Sequence, residues 1–254
     1  MDKSHAAGWG TDAPSPAQLK EFFDQIQTGR ITGPRLQKVL NREWQVSIKE
    51  ARQILGSSRF FGPEEWKRFF DLELPLYEIP EIPWPKRVLE DKRFSPRGQF
   101  LCLVPGSLNG KPLTLRLWNE VVFKPERPVG FHLGDCLDQR FAEEECQTHW
   151  MLMPISPIER SRNRVYQDQV ATLPSGYEVP STLDRVTANV LYYLIHYDPD
   201  CPRFLDDNSW ARTKDKTEGG KSITVIGKPF FGISVSDWCP AADGSIAIAA
   251  SRKI

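Results

Sequence analysis

Residues 180–197, Pro180-Ser181-Thr182-Leu183-Asp184-Arg185-Val186-Thr187-Ala188-Asn189-Val190-Leu191-Tyr192-Tyr193-Leu194-Ile195-His196-Tyr197, decide how the chain is read. Ser181 offers an acceptor to the orphan N–H groups of a first helical turn, and acidic Asp184 follows three positions later. Leu183, Val186, Val190, Leu191, Leu194 and Ile195 then recur at helical spacing. The pattern predicts a helix from Ser181 to about Tyr197 whose apolar stripe faces the core of the surrounding domain.

C-terminal to this helix the period changes. Short β-type runs at Ser209–Thr213, Ser222–Ile226, Phe231–Val235 and Ile246–Ala250 are separated by Gly219-Gly220, Gly227-Lys228-Pro229 and Asp243-Gly244. Turn residues between runs of this length predict a meander or a set of hairpins. On the N-terminal side, Phe100–Val104 and Trp150–Pro154 read as strands and Asn163–Leu173 as a helix. Leu113-Thr114-Leu115-Arg116-Leu117 alternates as a half-buried strand does, and the Asn109-Gly110 turn would join it to the strand before it.

The first 73 residues have a different texture. Ser15-Pro16 supplies a cap with Pro at the first helical position, and Leu19, Phe22, Phe23 and Ile26 form one stripe. Gly33–Asn41 repeats the pattern with Leu36, Val39 and Leu40. Ser47 with Glu50 makes a capping box for Ser47–Leu55, and Gly62-Pro63 opens a fourth helix. Next, Leu74–Pro85 contains four prolines, Pro75, Pro80, Pro83 and Pro85, which remove donors and force extended backbone. This run is too apolar for a solvated tether and reads as a strap packed along a domain surface. The resulting division is a helical region at 1–73, a Pro-rich strap at 74–98 and an α+β domain at 99–254.

Composition bounds what such a chain does. With 254 residues, 40% hydrophobic, 8 Trp and 14 Phe, it is long and apolar enough to build a real core. Lys+Arg 33 balances Asp+Glu 33, so no net field draws it to nucleic acid or to an anionic membrane. No stretch reaches the roughly 18 apolar residues of a membrane span, and Met1–Pro14 lacks a signal-peptide core, which together imply a cytoplasmic location. The five cysteines, Cys102, Cys136, Cys146, Cys201 and Cys239, contain no CxxC pair and read as reduced. His132, Cys136, Cys146 and His149 are residue types that zinc accepts, but their spacing matches no common zinc module, and no metal or cofactor is assigned.

Several of these passages occur in one order that resembles a known family. Leu173-Pro174-Ser175-Gly176-Tyr177-Glu178-Val179-Pro180-Ser181 leads into the helix, Trp210-Ala211-Arg212-Thr213 opens the Gly-spaced strands, and Ala249-Ala250-Ser251-Arg252-Lys253-Ile254 closes them. This layout resembles the variable proteins of diversity-generating retroelements over about residues 90–254, with Lys214 where the family has Ser and Ile254 where it has Phe. The resemblance implies an α+β chain whose C-terminal domain is C-type-lectin-like, of the formylglycine-generating-enzyme kind, preceded by a small all-helical N-terminal region. It further implies a ligand-binding scaffold, its partner a protein, with a variable segment at about 210–248 diversified by adenine-directed substitution.

Genetic-code arithmetic restricts the diversified positions. Randomising both adenines of an AAC codon leaves a final C, and no such codon encodes Lys or Trp, so Lys214, Lys216, Lys221, Lys228 and Trp238 are not its products. Thr224, Ile226, Ser234, Ser236, Asp237, Cys239, Ala241, Asp243 and Ser245 are compatible with it. These nine, with Phe230, Phe231 and Trp238 as rigid aromatic anchors, are the candidate ligand-binding residues. Trp210 is a further aromatic candidate at the start of the segment.

The alternative is a cytoplasmic enzyme, or enzyme-associated module, of the formylglycine-generating-like superfamily. GxSxG, HExxH, P-loop and GxGxxG motifs are all missing from the sequence, and no catalytic residue is assigned. Asp198, Asp200, Asp206 and Asp207 read as solvated loop acids, too few for the six to eight oxygens of a calcium site. His149 and His196 read as capping or packing residues.

Overall fold

The computed structural model describes residues 15–33, 46–92, 97–122, 130–156, 158–198, 203–205, 209–228, 232–238 and 241–253. The chain forms two compact units, 1–44 and 45–254. The first contains helix α1, Pro16–Gln27, where the Ser15 hydroxyl accepts from the Gln18 N–H and the Gln18 side chain accepts from the Ser15 N–H. Leu19 and Phe23 are exposed on it. The helix expected over Gly33–Asn41 lies almost wholly outside the described residues.

In the second unit α2 spans Ile48–Leu55, β1 Phe60–Phe61, α3 Pro63–Phe70 and α4 Lys86–Leu89. Strand β2 (Gln99–Val104) precedes a small hairpin, β3 (Ser107–Leu108) and β4 (Lys111–Pro112), and then helix α5 (Leu115–Val122). Asn109 (φ 54°) and Gly110 (φ 76°) make the two-residue turn of that hairpin, as left-handed conformations at both positions require. There follow β5 (Phe131–His132), β6 (His149–Pro154), α6 (Tyr166–Ala171), β7 (Tyr177–Glu178) and α7 (Thr182–Ile195). Strands β8 (Trp210–Lys216), β9 (Ser222–Lys228), β10 (Gly232–Trp238), β11 (Ile246–Ile248) and β12 (Ser251–Arg252) complete the unit.

The architecture is mixed α+β with several sheets. One sheet has the order β1-β2-β6, with β1 parallel and β6 antiparallel to β2. The larger has the order β11-β8-β9-β10-β5: β8, β9 and β10 are mutually antiparallel, β11 runs parallel to β8 and β5 parallel to β10. Strand β12 closes the chain against β7.

Helix α7 contacts both main sheets, touching β1 and β2 on one and β8, β9 and β10 on the other, and it also meets α5. Every residue from Thr182 to Leu194 except Asp184 is therefore buried, and the helix is enclosed on all sides where a single stripe was expected. Several of its polar side chains are matched internally. The Trp118 indole N–H donates to Thr187 Oγ1 at 2.7 Å, and Thr182 and Thr213 hydroxyls meet at 2.7 Å. Ser181 caps the helix as anticipated, accepting from the Asp184 N–H at 3.0 Å.

Two expectations need correction. Residues 113–117 are not a strand: Thr114 Oγ1 accepts from the Leu117 N–H at 3.1 Å and starts α5, which buries Leu115, Trp118 and Val122 on one stripe. The boundary at residue 73 falls inside the second unit, because Phe60 and Phe61 pair with Leu101 and Cys102. Trp66, on α3, is fully enclosed, stacks near Trp118 and donates its indole N–H to the Leu103 carbonyl at 2.7 Å. The strap does pack as expected. Ile82 and Trp84 are buried, the Trp150 indole donates to the Pro80 carbonyl at 2.8 Å, and the Trp84 indole donates to the Lys253 carbonyl at 2.8 Å.

A chain beginning at residue 74 should consequently fail to fold, whereas one beginning at residue 45 should unfold cooperatively, as read by circular dichroism during a urea titration. In the full chain, Trp66→Ala should cost about 3–5 kcal/mol in the same titration; a loss under about 1 kcal/mol would place α3 outside the core.

Candidate functional site

Residues directly opposite across neighbouring strands project to the same side of a sheet. The register pairs Ser234 with Ile226, Ser236 with Thr224 and Trp238 with Ser222, and Ala211 with Val225. Ile223, Val225, Ile233 and Val235 therefore share one side, where they join the core beneath α7. The opposite side carries Trp210, Arg212, Thr224, Ile226, Ser234, Ser236 and Trp238. Gly232 fixes where β10 starts: its φ is +84°, and a Cβ there would sit 1.8 Å from the Gly130 carbonyl oxygen, so only glycine lets β10 draw alongside β5.

One part of this second side is sealed. Arg212 is fully buried, and its guanidinium donates to Gln169 Oε1 at 2.9 Å, to the Arg164 carbonyl at 3.1 Å and to the Ala241 carbonyl at 2.6 Å. Gln169 in turn donates to the Ser161 and Ile246 carbonyls, both at 3.0 Å. The Asn163 N–H donates to the Asp243 carbonyl at 3.0 Å. This network locks residues 161–169 onto the sheet and holds the backbone of 241–243 against it. Side chains in this loop remain outward: Ala241 and Ser245 are exposed, and Asp243 Oδ1 accepts from the Ser245 N–H (2.7 Å) and hydroxyl (2.6 Å), which keeps its carboxyl below the usual value.

The other part is half open. Trp210 and Trp238 approach with ring centroids 6.0 Å apart, and Lys228 Nζ lies 5.8 Å from the Trp210 ring. Ser234 and Ser236 are partly exposed on the same side. Thr224 and Ile226 were candidate contact residues, but both are buried, with Thr224 donating its hydroxyl to the Ser236 carbonyl at 3.0 Å. As placed, they support the face rather than present it. Asp237 projects to the other side and pairs with Lys221 at 2.8 Å. Phe230, Phe231 and Cys239 lie outside the described residues. Beside the β10 edge, a cavity of about 240 Å³ opens between residues 133–139 and 235–237, with Thr217 also lining it.

The residues with catalytic or metal potential are dispersed. Cys136 Sγ points at the Val235 carbonyl (3.9 Å) and Cys146 Sγ at the Pro105 carbonyl (3.6 Å), whereas His149 Nε2 pairs with Asp184 at 3.2 Å. Among the described residues no group of three or more His, Cys, Asp or Glu could hold a metal ion. Burial, assisted by the Asp184 charge, pushes the Cys146 thiol up to about 12, and Cys102 is raised for the same two reasons, so both stay protonated at neutral pH. Among the described residues no helix is long and apolar enough to cross a membrane.

His149 and Asp184 act on the frame. Burial alone would lower the His149 pKa, but the hydrogen bond and charge of Asp184, with the Gln147 carbonyl on Nδ1 at 2.8 Å, outweigh it and leave the value raised. Burial likewise opposes ionisation of Asp184, yet His149 and then Ser181 hold its pKa down. Both ring nitrogens have acceptors, a need that only the imidazolium meets. His196 differs: burial lowers its pKa, while its ring stacks on Tyr192 at 4.0 Å.

Comparison of the chain with protein-family models, with curated proteins and with solved structures finds no match in any of the three.

Two outcomes follow from these geometries. A raised folded-state pKa makes the His149 contribution complete below about pH 6.5 and lost as pH climbs through the raised value. The thermal midpoint gap between wild type and His149→Gln should therefore be widest near pH 6 and shrink by pH 9; a gap that ignores pH would show that the pair is not ionic. Arg212→Met should strand Gln169 and two carbonyls, and with each neutral acceptor left unsatisfied costing about 1–3 kcal/mol the protein should lose about 3 kcal/mol or more in urea unfolding. A neutral result there would dismiss the network as a brace.

Proposed function

We propose that this protein is a ligand-binding scaffold, its ligand a protein, which it engages through the outer side of the five-stranded sheet and the 241–245 loop. The observation that carries this reading is the contrast within one surface. Trp210 and Trp238 offer broad aromatic area at low entropic cost, Ser234 and Ser236 offer adaptable hydrogen bonding, and both sit over buried Thr224, whose hydroxyl is already bonded to the Ser236 carbonyl. The loop beside them has a backbone held by Arg212 and Asn163 while its side chains stay outward. Such a surface can change its side chains without disturbing the frame.

On this reading the C-terminal domain is C-type-lectin-like and the chain is a variable protein of a diversity-generating retroelement. Burial then sorts the compatible codons. Ser234, Ser236 and Ala241 are the positions free to vary, with Asp237 at the sheet edge; Asp243 and Ser245 are outward but tied by their mutual hydrogen bonds, and Thr224 and Ile226 carry a packing penalty.

Sequencing sister copies of the gene and its neighbourhood tests this directly. The expected result is a nearby reverse transcriptase, a near-repeat of the final coding stretch, and differences confined to adenine-bearing codons of the outward positions, with Arg212 and Gln169 constant. Differences spread evenly over residues 45–254, with neither genetic element present, would overturn it.

A further inference from the structure

Leu76 and Tyr77 sit on a tight 3-10 turn of the Pro-rich strap, Leu76–Glu78, closed by the Glu78 N–H on the Pro75 carbonyl at 2.9 Å. They are 82% and 87% exposed, more than any other large apolar residue among those described. The strap that follows is pinned by the Trp150 indole on the Pro80 carbonyl and by the Trp84 indole on the Lys253 carbonyl. Both side chains therefore stand on a fixed backbone and lose little freedom on contact. Beside the turn lies an open groove of about 370 Å³, its apolar lining built from Val46, Ile48, Leu76, Ile79 and Ile82, with Ser47 and Glu81 also on its wall. That volume is at the small end of ligand pockets, about 300–1,000 Å³, and suits a few side chains.

The charges around this groove are acidic on balance. Glu81 lines it, Glu78 is exposed on the turn, and Glu50 is exposed on the first turn of α2, where its carboxylate accepts from the Ser47 hydroxyl at 2.7 Å and N–H at 2.9 Å. Those two bonds hold the Glu50 carboxyl below its usual value, so it is charged at neutral pH. Against these three stands exposed Lys49. We propose that the groove binds a short segment of another protein in which one or two large apolar side chains are flanked by Lys or Arg. The apolar side chains enter against Ile48, Ile79 and Ile82, the flanking cations meet Glu78 and Glu81, and the exposed Tyr77 ring offers a further cation a face to sit on. The same charges disfavour other occupants: a second copy brings acid against acid, and an anionic membrane leaflet or a nucleic acid is repelled. An open groove would also leave a small apolar ligand largely in water, whereas a peptide keeps its backbone solvated and buries only its side chains. Because α2 and the strap build the groove, and not the five-stranded sheet, it is a second recognition surface beyond the sheet face.

Panning a random library of phage-displayed peptides against the full chain tests this. Enriched peptides should combine Leu, Ile, Phe or Trp with neighbouring Lys or Arg, and a synthetic copy of the strongest should bind the full chain in fluorescence polarisation. Glu78→Lys/Glu81→Lys, at exposed positions that leave folding intact, should weaken that binding about tenfold or more. The difference from wild type should shrink in about 1 M salt, where charges are screened beyond about 3 Å. Leu76→Ser/Tyr77→Ser, equally exposed, should weaken binding by a similar factor whatever the salt, because it removes apolar contact. A library that yields no binder would overturn the proposal, and enriched peptides without cations would give the groove to a different occupant and overturn it too. So would binding that ignores both double variants.

Discussion

The placement of α7 between two sheets is the constraint from which most of the unit follows. A helix buried on every side has no solvent face on which to leave a polar group, so its polar side chains are drawn to partners within the fold. Thr187 therefore meets the Trp118 indole, and Thr182 meets Thr213. These bonds also fix positions. The first sets α5 across the helix, and the second, with the Lys214 N–H on the Pro180 carbonyl at 3.0 Å and the Thr182 N–H on the Asp215 carboxylate at 2.5 Å, sets the register of β8 against the helix start. Once β8 is placed, Arg212 and Trp210 are placed with it. The outer side of the sheet is thus governed by contacts made on the inner side.

Sequence reading succeeded where structure is local. The Ser181 cap, the Asn109-Gly110 turn and the Gly-punctuated strands each depend on a few neighbouring residues, and the fold honours them, although the turn joins the short pair Ser107–Leu108 and Lys111–Pro112 and not the two longer runs around it. It failed where partners are remote. Phe60 and Phe61 are too few to show a period, and their strand exists only because Leu101 and Cys102 lie alongside. The alternation of residues 113–117 satisfied a strand template over five positions, yet extending the window to Trp118 and Val122 reveals the helical stripe, with Thr114 as its cap. That signal was present and the short window hid it.

The candidate site divides in the same way. Codon compatibility picked out Thr224, Ile226, Ser234 and Ser236 without saying which side of a sheet they share, and the register is what brings them to a common side. What alternation could not convey is that β9 is the middle strand of five, buried at six of its seven positions. A central strand is covered by its neighbours' side chains even on the side that faces outward, whereas β10, nearer the edge, keeps Ser234 and Ser236 partly open. The role of Arg212 was also out of reach, since Gln169 and Ala241 are distant in sequence and none of the three has a local motif.

Energetic asymmetry decides which part of this surface can tolerate change. At an exposed loop position a substitution typically moves stability by less than about 0.5 kcal/mol, while a buried hydrogen-bonded charge removed from its partners costs several times that. Arg212 concentrates the second kind of cost at one residue and thereby spares the first kind for its surroundings: it holds the 241 backbone through a carbonyl, a group every amino acid supplies, so the hold does not depend on which side chain is attached. Asp243 and Ser245 lack that freedom in part, because their mutual hydrogen bonds shape the turn they occupy. Ala241 is therefore the position in the loop where side-chain identity and backbone geometry are most fully separated.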